Sequence, residues 1–477
     1  MGHEAERLIV ALGLVVAAGC GDNSQPDPFV GLVRVSGRSP FADDCAGVQR
    51  GTNFSGNEVE PSVAVDPRNV LHLIGAWQQD RWSNGGANAI GTAASFDGGA
   101  TWTQRTPAFS RCAGGDAGNH GDYERATDPW VTFAADGTAF LSALVFDSTT
   151  ARSAMVASRS SDGGLSWSDA TVLRADDSID VTNDKEAITA DPTDPGRVYV
   201  VWDRLTGLTQ PGRPIGTGPI WFARTTDGVW EPARPIFDPG IDAQTIGSVI
   251  VVLPDGTLVN AFTLITNATS MAPVNTLAVI RSEDKGLTWS APVLIAPMNA
   301  AGVQDPDNHE YARTGAILAE IALDRASGAI YIAWQGVRPG TTTDGIVLVT
   351  SRDGGLSWSA PALINGAPEA AAFTPAVAVA ADGTVGVTYY DQRDADLTDA
   401  RVFPASAWLA SSYDGGRTWS DEPLSSSFDL RPASIVDVYF LGDYQGLVAS
   451  GDAFVPFFVG ATGDGDDKTA VFVRPAR

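Results

Sequence analysis

The sequence predicts an all-β protein that folds as a single propeller of four-stranded antiparallel blades, seven in number, with six as the alternative. Three observations predict this fold. A short turn pattern, Ser-x-Asp-x-Gly-x-Ser/Thr-Trp, recurs along most of the chain. Short alternating, strand-like runs precede each copy and end in Asp-Pro or Asp-Gly turns. The 477 residues include 51 glycines and are 18% charged, which is typical of a turn-rich globular protein.

The turn pattern is clearest at residues 351–358, Ser-Arg-Asp-Gly-Gly-Leu-Ser-Trp. Other copies begin at Ser95, Ser160, Ser282 and Ser412, and a shorter, worn copy begins at Thr225. Asp and Ser side chains hold tight loops through hydrogen bonds to the backbone, and Gly supplies a positive φ. The Trp begins the outgoing strand and can bury its ring beside the turn. We therefore predict that these Asp residues are structural and not catalytic.

Each repeat is expected to contain four strands, A to D, with the turn pattern between C and D. The runs that open the six repeats as A strands are Glu60–Asp66, Asp128–Gly137, Glu186–Pro192, Ser248–Gly256, Glu320–Asp324 and Pro375–Gly383. A seventh unit, residues 444–474, has three strand-like runs and no fourth. The strand-like run 29–35 could supply the missing strand, which would join the two chain ends and leave no open sheet edge. If the tail packs irregularly, six blades remain.

An apolar run at residues 8–18 is too short to span a membrane as an ordinary helix and is typical of a targeting signal. It ends in Ala-Ala-Gly-Cys20, which resembles a bacterial lipobox with Cys20 as the lipidated residue. We expect a signal at 1–20, a tether and closing strand at 21–56, and the propeller at 57–477. The protein would be an exported bacterial lipoprotein of the cell envelope, in the periplasm or at the cell surface, touching the membrane through its lipid anchor alone. Plain secretory cleavage near Gly19 is the alternative.

The net charge of −26 excludes nucleic acid as a partner, because such a surface repels phosphate backbones. We expect a monomer. Apart from Cys20, the chain contains Cys45 and Cys112. In an exported chain two cysteines can form a disulfide, and two free thiols are the alternative.

The blade topology places the starts of A strands and the ends of B strands on the face opposite the turn pattern. The B-strand ends carry three arginines, each close to an aspartate, in the pairs Asp80 and Arg81, Asp203 and Arg204, and Asp391 and Arg393. The A-strand starts add Glu60, Asp128, Lys185, Glu186, Asp443 and Tyr444, and an insertion on the same side adds residues 309–313. The arginines could converge on a carboxylate ligand, or each could pair with its acidic neighbour and staple adjacent blades. We expect no cofactor, although the acidic ring could hold a structural calcium ion.

The recurring turn resembles the Asp-box, or BNR repeat, of the sialidase-like β-propellers, and the likeness covers about Asn57 to the C-terminus. The chain is similar to bacterial proteins labelled exo-α-sialidase. The resemblance implies an exo-acting glycoside hydrolase of acidic glycans or glycoconjugates. The implied clamp on the sugar carboxylate is Arg81, Arg204 and Arg393.

The resemblance also implies catalytic roles for other residues on this face. Asp128 would be the acid, and Tyr444, Tyr390 or Tyr311 the nucleophile, with Glu186 or Glu60 assisting it. Asp80, Asp203, Asp391 and Tyr390 would contact the substrate. The known sialidases have six blades and an Arg-Ile-Pro motif before the first Asp-box, which this chain lacks. A non-catalytic surface propeller that binds a glycan or a protein is therefore the alternative function.

Overall fold

The computed structural model describes residues 27–42, 44–45, 47–207, 216–338, 340–394, 401–433, 438–464 and 467–476. Within these ranges the regular structure is β-strand, together with two short 3-10 turns at Arg111–Ala113 and Arg431–Ala433. The described residues include no helix with the length and apolar character needed to cross a membrane. The predicted signal and the predicted lipidation site, Cys20, lie outside the described residues.

The first half of the described chain contains one short strand, which belongs to the last meander, followed by three antiparallel meanders. The short strand is β1 (Val33–Arg34). Meander 1 consists of β2 (Val59–Asp66), β3 (Asn69–Arg81), β4 (Ala87–Ser95) and β5 (Thr103–Arg105). Meander 2 consists of β6 (Arg125–Phe133), β7 (Ala139–Phe146), β8 (Arg152–Ser160) and β9 (Thr171–Asp177). Meander 3 consists of β10 (Val181–Ala190), β11 (Val198–Thr206), β13 (Ile220–Thr226), β14 (Val229–Trp230) and β15 (Arg234–Phe237), with β12 (Thr217–Gly218) between β11 and β13.

Four more meanders follow. Meander 4 consists of β16 (Ala243–Val252), β17 (Leu258–Thr266), β18 (Val274–Ser282) and β19 (Val293–Pro297), and β12 pairs with β16 in parallel. After β20 (Val303–Gln304) and β21 (Tyr311–Arg313), meander 5 consists of β22 (Ala319–Leu323), β23 (Ile330–Val337), β24 (Asp344–Ser351) and β25 (Ala362–Leu363). Meander 6 consists of β26 (Ala372–Val379), β27 (Val385–Asp391), β28 (Pro404–Ser412), β29 (Ser420–Pro423) and β30 (Phe428–Asp429). After β31 (Tyr439–Phe440), meander 7 consists of β32 (Gly446–Ser450), β33 (Ala453–Asp464), β34 (Asp467–Val473) and β1.

The first strands of the meanders form a closed ring. Strands β2, β6, β10, β16, β22, β26 and β32 contact one another in this order, and β32 returns to β2. Their apolar side chains line one tunnel of about 860 Å³, to which every one of these strands contributes. The contributing residues include Val63, Val131, Ile188, Val249, Ile321, Val379 and Val448. The predicted all-β propeller fold of antiparallel sheets is confirmed.

The N-terminal segment supplies the outer strand of meander 7, where the sequence lacked a fourth strand. Val33 and Arg34 of β1 pair antiparallel with Val473 and Phe472 of β34. Phe29, which is 4% exposed, stacks on Phe472 with 4.1 Å between ring centroids. The two ends of the chain thereby close the ring and cover an edge that would otherwise offer unpaired backbone groups.

The turn pattern forms the same hydrogen-bonded hairpin in each full copy. In the copy at residues 351–358 the Ser351 hydroxyl donates to Asp353 at 2.9 Å, and the backbone N–H of Ser357 donates to the same carboxylate at 2.9 Å. Donation from the Ser357 hydroxyl and backbone lowers the pKa of Asp353 to about 2. The worn copy turns on Asp227 and Gly228 with φ of 52° and 76°, as a type I′ hairpin requires. These turns have the predicted structural role.

Cys45 and Cys112 form a disulfide. It joins the segment before meander 1 to the turn that follows β5, across 67 residues of sequence.

The ring closure can be tested with Phe29→Ala. Because Phe29 is buried against Phe472 and Phe428, its truncation is expected to lower the free energy of unfolding by about 3–5 kcal/mol in urea denaturation. Val30→Ala is the matched control, since Val30 is 77% exposed and should change stability little. Equal effects of the two substitutions would contradict a closing role for this segment.

Candidate active site

The site begins with a β-bulge that recurs in the inner strands. The register shifts near the start of β2, β6, β10, β16 and β26. In three of these bulges a charged residue has a left-handed backbone, with φ of 54° at Glu60, 51° at Asp128 and 51° at Lys185. Non-glycine residues adopt this conformation at an energetic cost, and bulges redirect side chains. Here the bulges bring three charged side chains from three meanders together near the ring axis.

Lys185 lies at the centre of this cluster. Its ammonium group contacts the carboxylates of Asp128 at 2.6 Å, Glu60 at 2.8 Å and Asp443 at 2.8 Å. Arg313 donates to both carboxylate oxygens of Asp443, through Nε at 2.8 Å and through Nη2. Lys185 itself is 8% exposed, so these ion pairs are largely shielded from water. Buried charges of this kind persist where each is paired.

The members of the cluster differ in how far, and in which direction, their pKa values are shifted. Burial and the neighbouring Asp128 carboxylate raise the pKa of Glu60 to about 8, although Lys185 opposes the shift. Burial would also raise the pKa of Asp443, but Lys185 and Arg313 outweigh it and hold that pKa far below its usual range. Burial disfavours the Lys185 ammonium, yet Asp128, Asp443 and Glu60 together raise the pKa of Lys185 well above its usual value. Lys185 therefore stays charged, Asp443 stays ionised and Glu60 binds a proton readily.

Two arginines that are far apart in the sequence lie beside the cluster and contact the same aromatic ring. The guanidinium carbon of Arg81 is 5.1 Å from the centroid of the Phe440 ring, and that of Arg313 is 4.7 Å from it. Arg81 also donates to the Gln78 side chain at 2.6 Å. Pairing of β21 with β31 sets Arg313 opposite Phe440.

The other two arginines of the predicted clamp are held away from this cluster. Arg204 donates to Asp176 of β9 at 2.6 Å and lies over the Trp221 ring. Arg393 pairs with Asp391 at 2.6 Å and with Asp421 at 2.7 Å. The Arg204 pair joins meander 3 to meander 2, as the stapling alternative expects, but it uses Asp176 and not the adjacent Asp203. The two Arg393 pairs lie within meander 6 and do not join adjacent blades. The geometry gives no support to a clamp of Arg81, Arg204 and Arg393.

The aspartates predicted to contact substrate are engaged in structural hydrogen bonds. Asp80 accepts from the Ser39 hydroxyl at 2.5 Å and from the Gly56 N–H at 3.0 Å. Asp203 accepts from the Thr245 hydroxyl at 2.8 Å and from the Gly247 N–H at 2.8 Å, which fixes the bulge of the next meander. Asp391 is fully buried against Arg393.

The three candidate tyrosines lie in different environments. Tyr390 is 1% exposed and donates to the Val459 carbonyl at 2.7 Å, within the core. Tyr444 lies beneath the cluster, where the Lys185 ammonium is 5.4 Å from its ring centroid. Tyr311 is 52% exposed at the rim of the central cavity.

Tyr444 and Glu186 line a separate small cavity of about 20 Å³, which Lys185 also lines. Neither the Tyr444 hydroxyl nor the Glu186 carboxylate has a hydrogen-bond partner among the described residues. Burial, with nearby carboxylates, raises the pKa of Tyr444 well above its usual value, and burial raises that of Glu186 similarly. An activated nucleophile needs a depressed pKa, so this environment disfavours Tyr444 in that role. The catalytic roles given to Asp128, Glu186 and Tyr444 stay predictions.

A cavity with two lobes opens above the cluster. Lobe A has a volume of about 540 Å³, and its lining includes Glu60, Arg81 and Asp128. Lobe B has a volume of about 600 Å³, and its lining includes Tyr311 and Asp443. Three residues line both lobes and form what we name the ridge: Asp184, Lys185 and Arg313.

Asp184 is the functional candidate that sequence reasoning missed. It precedes Lys185 in the bulge and is half-buried where the two lobes meet. Burial raises its pKa to about 6, and the Asp128 and Asp443 carboxylates add to the shift. The sequence feature that could have identified Asp184 is its position in the charged run 184–186, Asp-Lys-Glu, at the start of an A strand.

Among the residues that the structure describes, no group of three or more His, Cys, Asp or Glu side chains is arranged to hold a metal ion. The carboxylates of Glu60, Asp128 and Asp443 do converge on one point, but the Lys185 ammonium stands there. The side chain of Lys185 thus supplies the positive charge that a calcium ion would bring.

Part of the chain is similar to a known repeat domain and to one curated protein. Residues 219–434, slightly less than half of the sequence, match a BNR repeat-like domain. That match agrees with the predicted resemblance of the repeats to the BNR-repeat propellers. A curated relative, a protein of Paenibacillus sp named xyloglucanase, is 29% identical over 219 residues. That alignment spans 43% of this chain and 18% of the relative, so the chain covers less than a fifth of that protein's length.

Solved structures resemble the propeller at low sequence identity. An α-L-arabinanase of Penicillium chrysogenum is 12% identical, with 94% of this chain and 98% of that chain covered and a TM-score of 0.48. A Hadza microbial sialidase is 16% identical, with coverages of 85% and 73% and a TM-score of 0.47. A sialidase of Trypanosoma rangeli is 13% identical, with coverages of 93% and 58% and a TM-score of 0.44.

The central ion cluster of the propeller can be tested with Lys185→Met. The substitution leaves Glu60 and Asp128 buried without their cationic partner, which should lower the free energy of unfolding by about 3–5 kcal/mol at pH 7. Without the ammonium, which opposes the shift, the folded-state pKa of Glu60 rises further above its unfolded value. The folded variant then binds more protons than the unfolded chain, so its stability should fall as the pH rises above about 4.

Lys285→Met is the matched control for this experiment. Lys285 also contacts a buried carboxylate, Asp191, at 2.8 Å, but Asp191 keeps hydrogen bonds from Thr193 and Tyr199. We expect a smaller loss of stability from the control. A Lys185→Met protein as stable as wild type at pH 7 would refute the central role of this ammonium.

Proposed function

We propose that this BNR-repeat propeller is a glycoside hydrolase that cleaves acidic glycans in the two-lobed central cavity, as an exo-acting enzyme of the exo-α-sialidase type. The observation that carries the proposal is the position of Asp184. Its carboxyl is half-buried on the ridge between two ligand-sized lobes, with a pKa raised to about 6, and the Asp128 carboxylate, which contacts the Lys185 ammonium at 2.6 Å, lines the same lobe A. A protonated carboxyl and a carboxylate in one cavity can act as the acid and the base of a hydrolytic site.

The ridge supports a hydrolysis with two carboxyl groups. Asp184, when protonated, donates its proton to the glycosidic oxygen, and the bond between that oxygen and the anomeric carbon breaks with its electron pair leaving on the alcohol. Water adds to the anomeric carbon, and Asp128, held by Lys185, accepts a proton from that water. The products are the free sugar and the alcohol. This assignment transfers the acid role from Asp128 to Asp184, because the Asp128 carboxylate accepts a hydrogen bond from an ammonium group.

The charge of the cavity supports an acidic substrate. The whole chain has a net charge of −26, yet the charged residues that line lobe A are balanced in sign. They are Glu60, Asp128, Asp147, Asp184, Arg81, Arg152, Lys185 and Arg313. Arg313 has a side chain that is 46% exposed, and its Nη1 group, which Asp443 does not use, can donate to a substrate carboxylate. Arg81, on the same Phe440 ring, is the second cation within reach.

The comparisons support a glycoside hydrolase in general and not one particular substrate. The curated relative named xyloglucanase matches part of the chain, and the BNR repeat-like match agrees with the predicted family.

We also propose that the protein is exported and lipidated at Cys20 in a bacterial envelope. The Cys45–Cys112 disulfide supports an oxidising compartment.

A non-catalytic glycan-binding propeller is the second candidate. It is favoured by the surroundings of Tyr444, whose hydroxyl is buried beneath Lys185 and whose pKa is raised, and by the engagement of Arg204 and Arg393 in ion pairs elsewhere. Both functions use the same cavity and differ in whether a bond is broken.

Asp184→Asn tests the hydrolase. Because the amide cannot donate a proton as an acid does, kcat should fall by about 10²–10⁴-fold on 4-methylumbelliferyl glycosides, assayed as a panel with the sialoside, α-L-arabinofuranoside and β-glucoside. For wild type, kcat should fall as the pH rises through about 6, because Asp184 must be protonated to act. Asp169→Asn, an exposed carboxyl near the Asp-box of meander 2, is the control and should retain full activity. If well-folded wild type hydrolyses none of the panel, the binding function is favoured.

Arg313→Gln tests the preference for acidic sugars. Loss of the guanidinium should raise KM for the 4-methylumbelliferyl sialoside by about 10–100-fold, because that change corresponds to the free energy of one hydrogen bond between charged groups. KM for the neutral glycosides should stay unchanged. Asp443 keeps its contact with Lys185 in this variant. The control is Arg417→Gln, an exposed arginine in the last Asp-box. An equal change for acidic and neutral substrates would rule out carboxylate recognition by Arg313.

A further inference from the structure

A small sheet outside the seven meanders forms part of the cavity wall. Its strands lie in the order β20-β21-β31. β20 and β21 belong to the segment that enters meander 5, and β31 belongs to the segment that enters meander 7. Tyr311, Ala312 and Arg313, the residues of β21, all line lobe B. The sheet therefore joins two segments that are distant in sequence at one side of the cavity.

Backbone pairing alone gives this sheet little support. β20 pairs with β21 at two positions, and β21 pairs with β31 at two positions. Hairpins this short are marginally stable in water unless other contacts fix them. A further interaction is needed to keep β21, and with it Arg313, in one place.

Asp305, in the turn between β20 and β21, supplies that interaction. Its side chain is fully buried. Arg431 donates to both carboxylate oxygens, through Nε at 3.0 Å and through Nη2 at 2.8 Å. The Tyr439 hydroxyl donates at 2.8 Å, and the backbone N–H of Asp307 donates at 2.9 Å. Bidentate bonds between arginine and a carboxylate have a fixed geometry, so Asp305 fastens one segment firmly to the other.

The far end of β21 carries Arg313, which the fastened sheet holds on the ridge. Arg313 donates from there to Asp443 at 2.8 Å. Burial raises the pKa of Asp184 to about 6, and the charges of Lys185 and Arg313 oppose that shift, whereas the Asp128 and Asp443 carboxylates add to it. Displacement of Arg313 would therefore leave the Asp184 carboxyl with a higher affinity for protons.

Asp305 itself does not reach the cavity. Neither Asp305 nor Arg431 is among the described residues that line the two lobes. Burial would raise the pKa of Asp305, but donation from Arg431 and Tyr439 holds that pKa at about 2, so the carboxylate stays ionised. Any effect of Asp305 on the ridge therefore passes through another residue.

We propose that Asp305 is a positioning residue, which holds the sheet of β20, β21 and β31 against lobe B and thereby keeps Arg313 on the ridge beside Asp184. This inference rests on the proposed function, because the ridge carries the acid of the hydrolysis. It adds a residue outside the cavity that controls the protonation of that acid.

Asp305→Asn tests the positioning role, because the amide keeps the size of the side chain but cannot accept the paired bonds from Arg431. The Asp184 carboxyl is titrated by NMR on protein with isotope-labelled aspartate, and its signal is assigned with Asp184→Asn. The pKa of Asp184, about 6 in wild type, should be higher in Asp305→Asn. Arg313→Gln should raise that pKa to the same extent. An unchanged pKa in well-folded Asp305→Asn would overturn the inference.

The double variant shows whether Asp305 acts through Arg313. Asp305→Asn combined with Arg313→Gln should titrate like Arg313→Gln alone, because two residues that act in series are not additive. KM for the 4-methylumbelliferyl sialoside should rise about tenfold in Asp305→Asn and no further when it is added to Arg313→Gln. Additive effects of the two substitutions would contradict the positioning role.

Asp66→Asn is the matched control for loss of a buried carboxylate. Asp66 is 3% exposed and also accepts two bonds from an arginine, Arg68, at 3.1 and 3.2 Å, but it lies at the other end of β2 from the cluster. Its substitution should lower stability and leave the pKa of Asp184 and KM unchanged. If the control changes both as Asp305→Asn does, the effect is general destabilisation and the inference fails.

Tyr439→Phe decides the matter if Asp305→Asn does not fold. The substitution removes one donor to Asp305 and keeps the aromatic ring, which is 6% exposed. The pKa of Asp184 should then rise by less than in Arg313→Gln but in the same direction. No change in that pKa would overturn the inference.

The NMR titration does not require turnover, so it separates this inference from the proposed function. If wild type hydrolyses none of the glycosides, but Asp305→Asn and Arg313→Gln raise the pKa of Asp184 equally, the hydrolase is rejected and the positioning role stands. If wild type is active and Asp305→Asn changes neither the pKa of Asp184 nor KM, the hydrolase stands and the positioning role is rejected.

Discussion

The ammonium group of Lys185 is the interaction on which the centre of this propeller depends. Three inner strands each contribute a charged side chain from a strained bulge, and a fourth charge comes from Asp443 just before β32. Without a cation at their meeting point, the carboxylates of Glu60, Asp128 and Asp443 would repel one another in a space that excludes water. With it, meanders 1, 2, 3 and 7 are held together at one point of the axis.

The same cluster creates the chemistry above it. Because Lys185 and Arg313 satisfy Asp443 while burial leaves Asp184 with a raised pKa, neighbouring carboxyl groups differ in their affinity for protons. The bulges that strain the backbone are thus the features that place the ridge between the two lobes. The Asp-box turns hold the opposite ends of the meanders and take no part in this arrangement.

Much of the fold could be predicted from sequence because its signals are local. The Asp-box needs its Ser, Asp and Gly within a few residues of one another, and the hydrogen bonds of Ser351, Asp353 and Gly355 follow that spacing. The site was predicted in part. Glu60, Asp128, Lys185 and Asp443 were placed around one mouth, and they do meet. The clamp of three arginines was not found, because Arg204 pairs with Asp176 and Arg393 pairs with both Asp391 and Asp421. The positions of Asp176 and Asp421 depend on neighbouring strands.

The sequence alone determined the repeat, the kind of fold and the face on which charged residues gather, since each depends on residue order and strand direction. Tertiary structure decided which charges pair, where burial shifts a pKa, and that a missed residue, Asp184, stands between two lobes. Those properties depend on distances of a few ångströms between side chains from different meanders, and on the exclusion of water around them. No local pattern in the chain encodes either quantity.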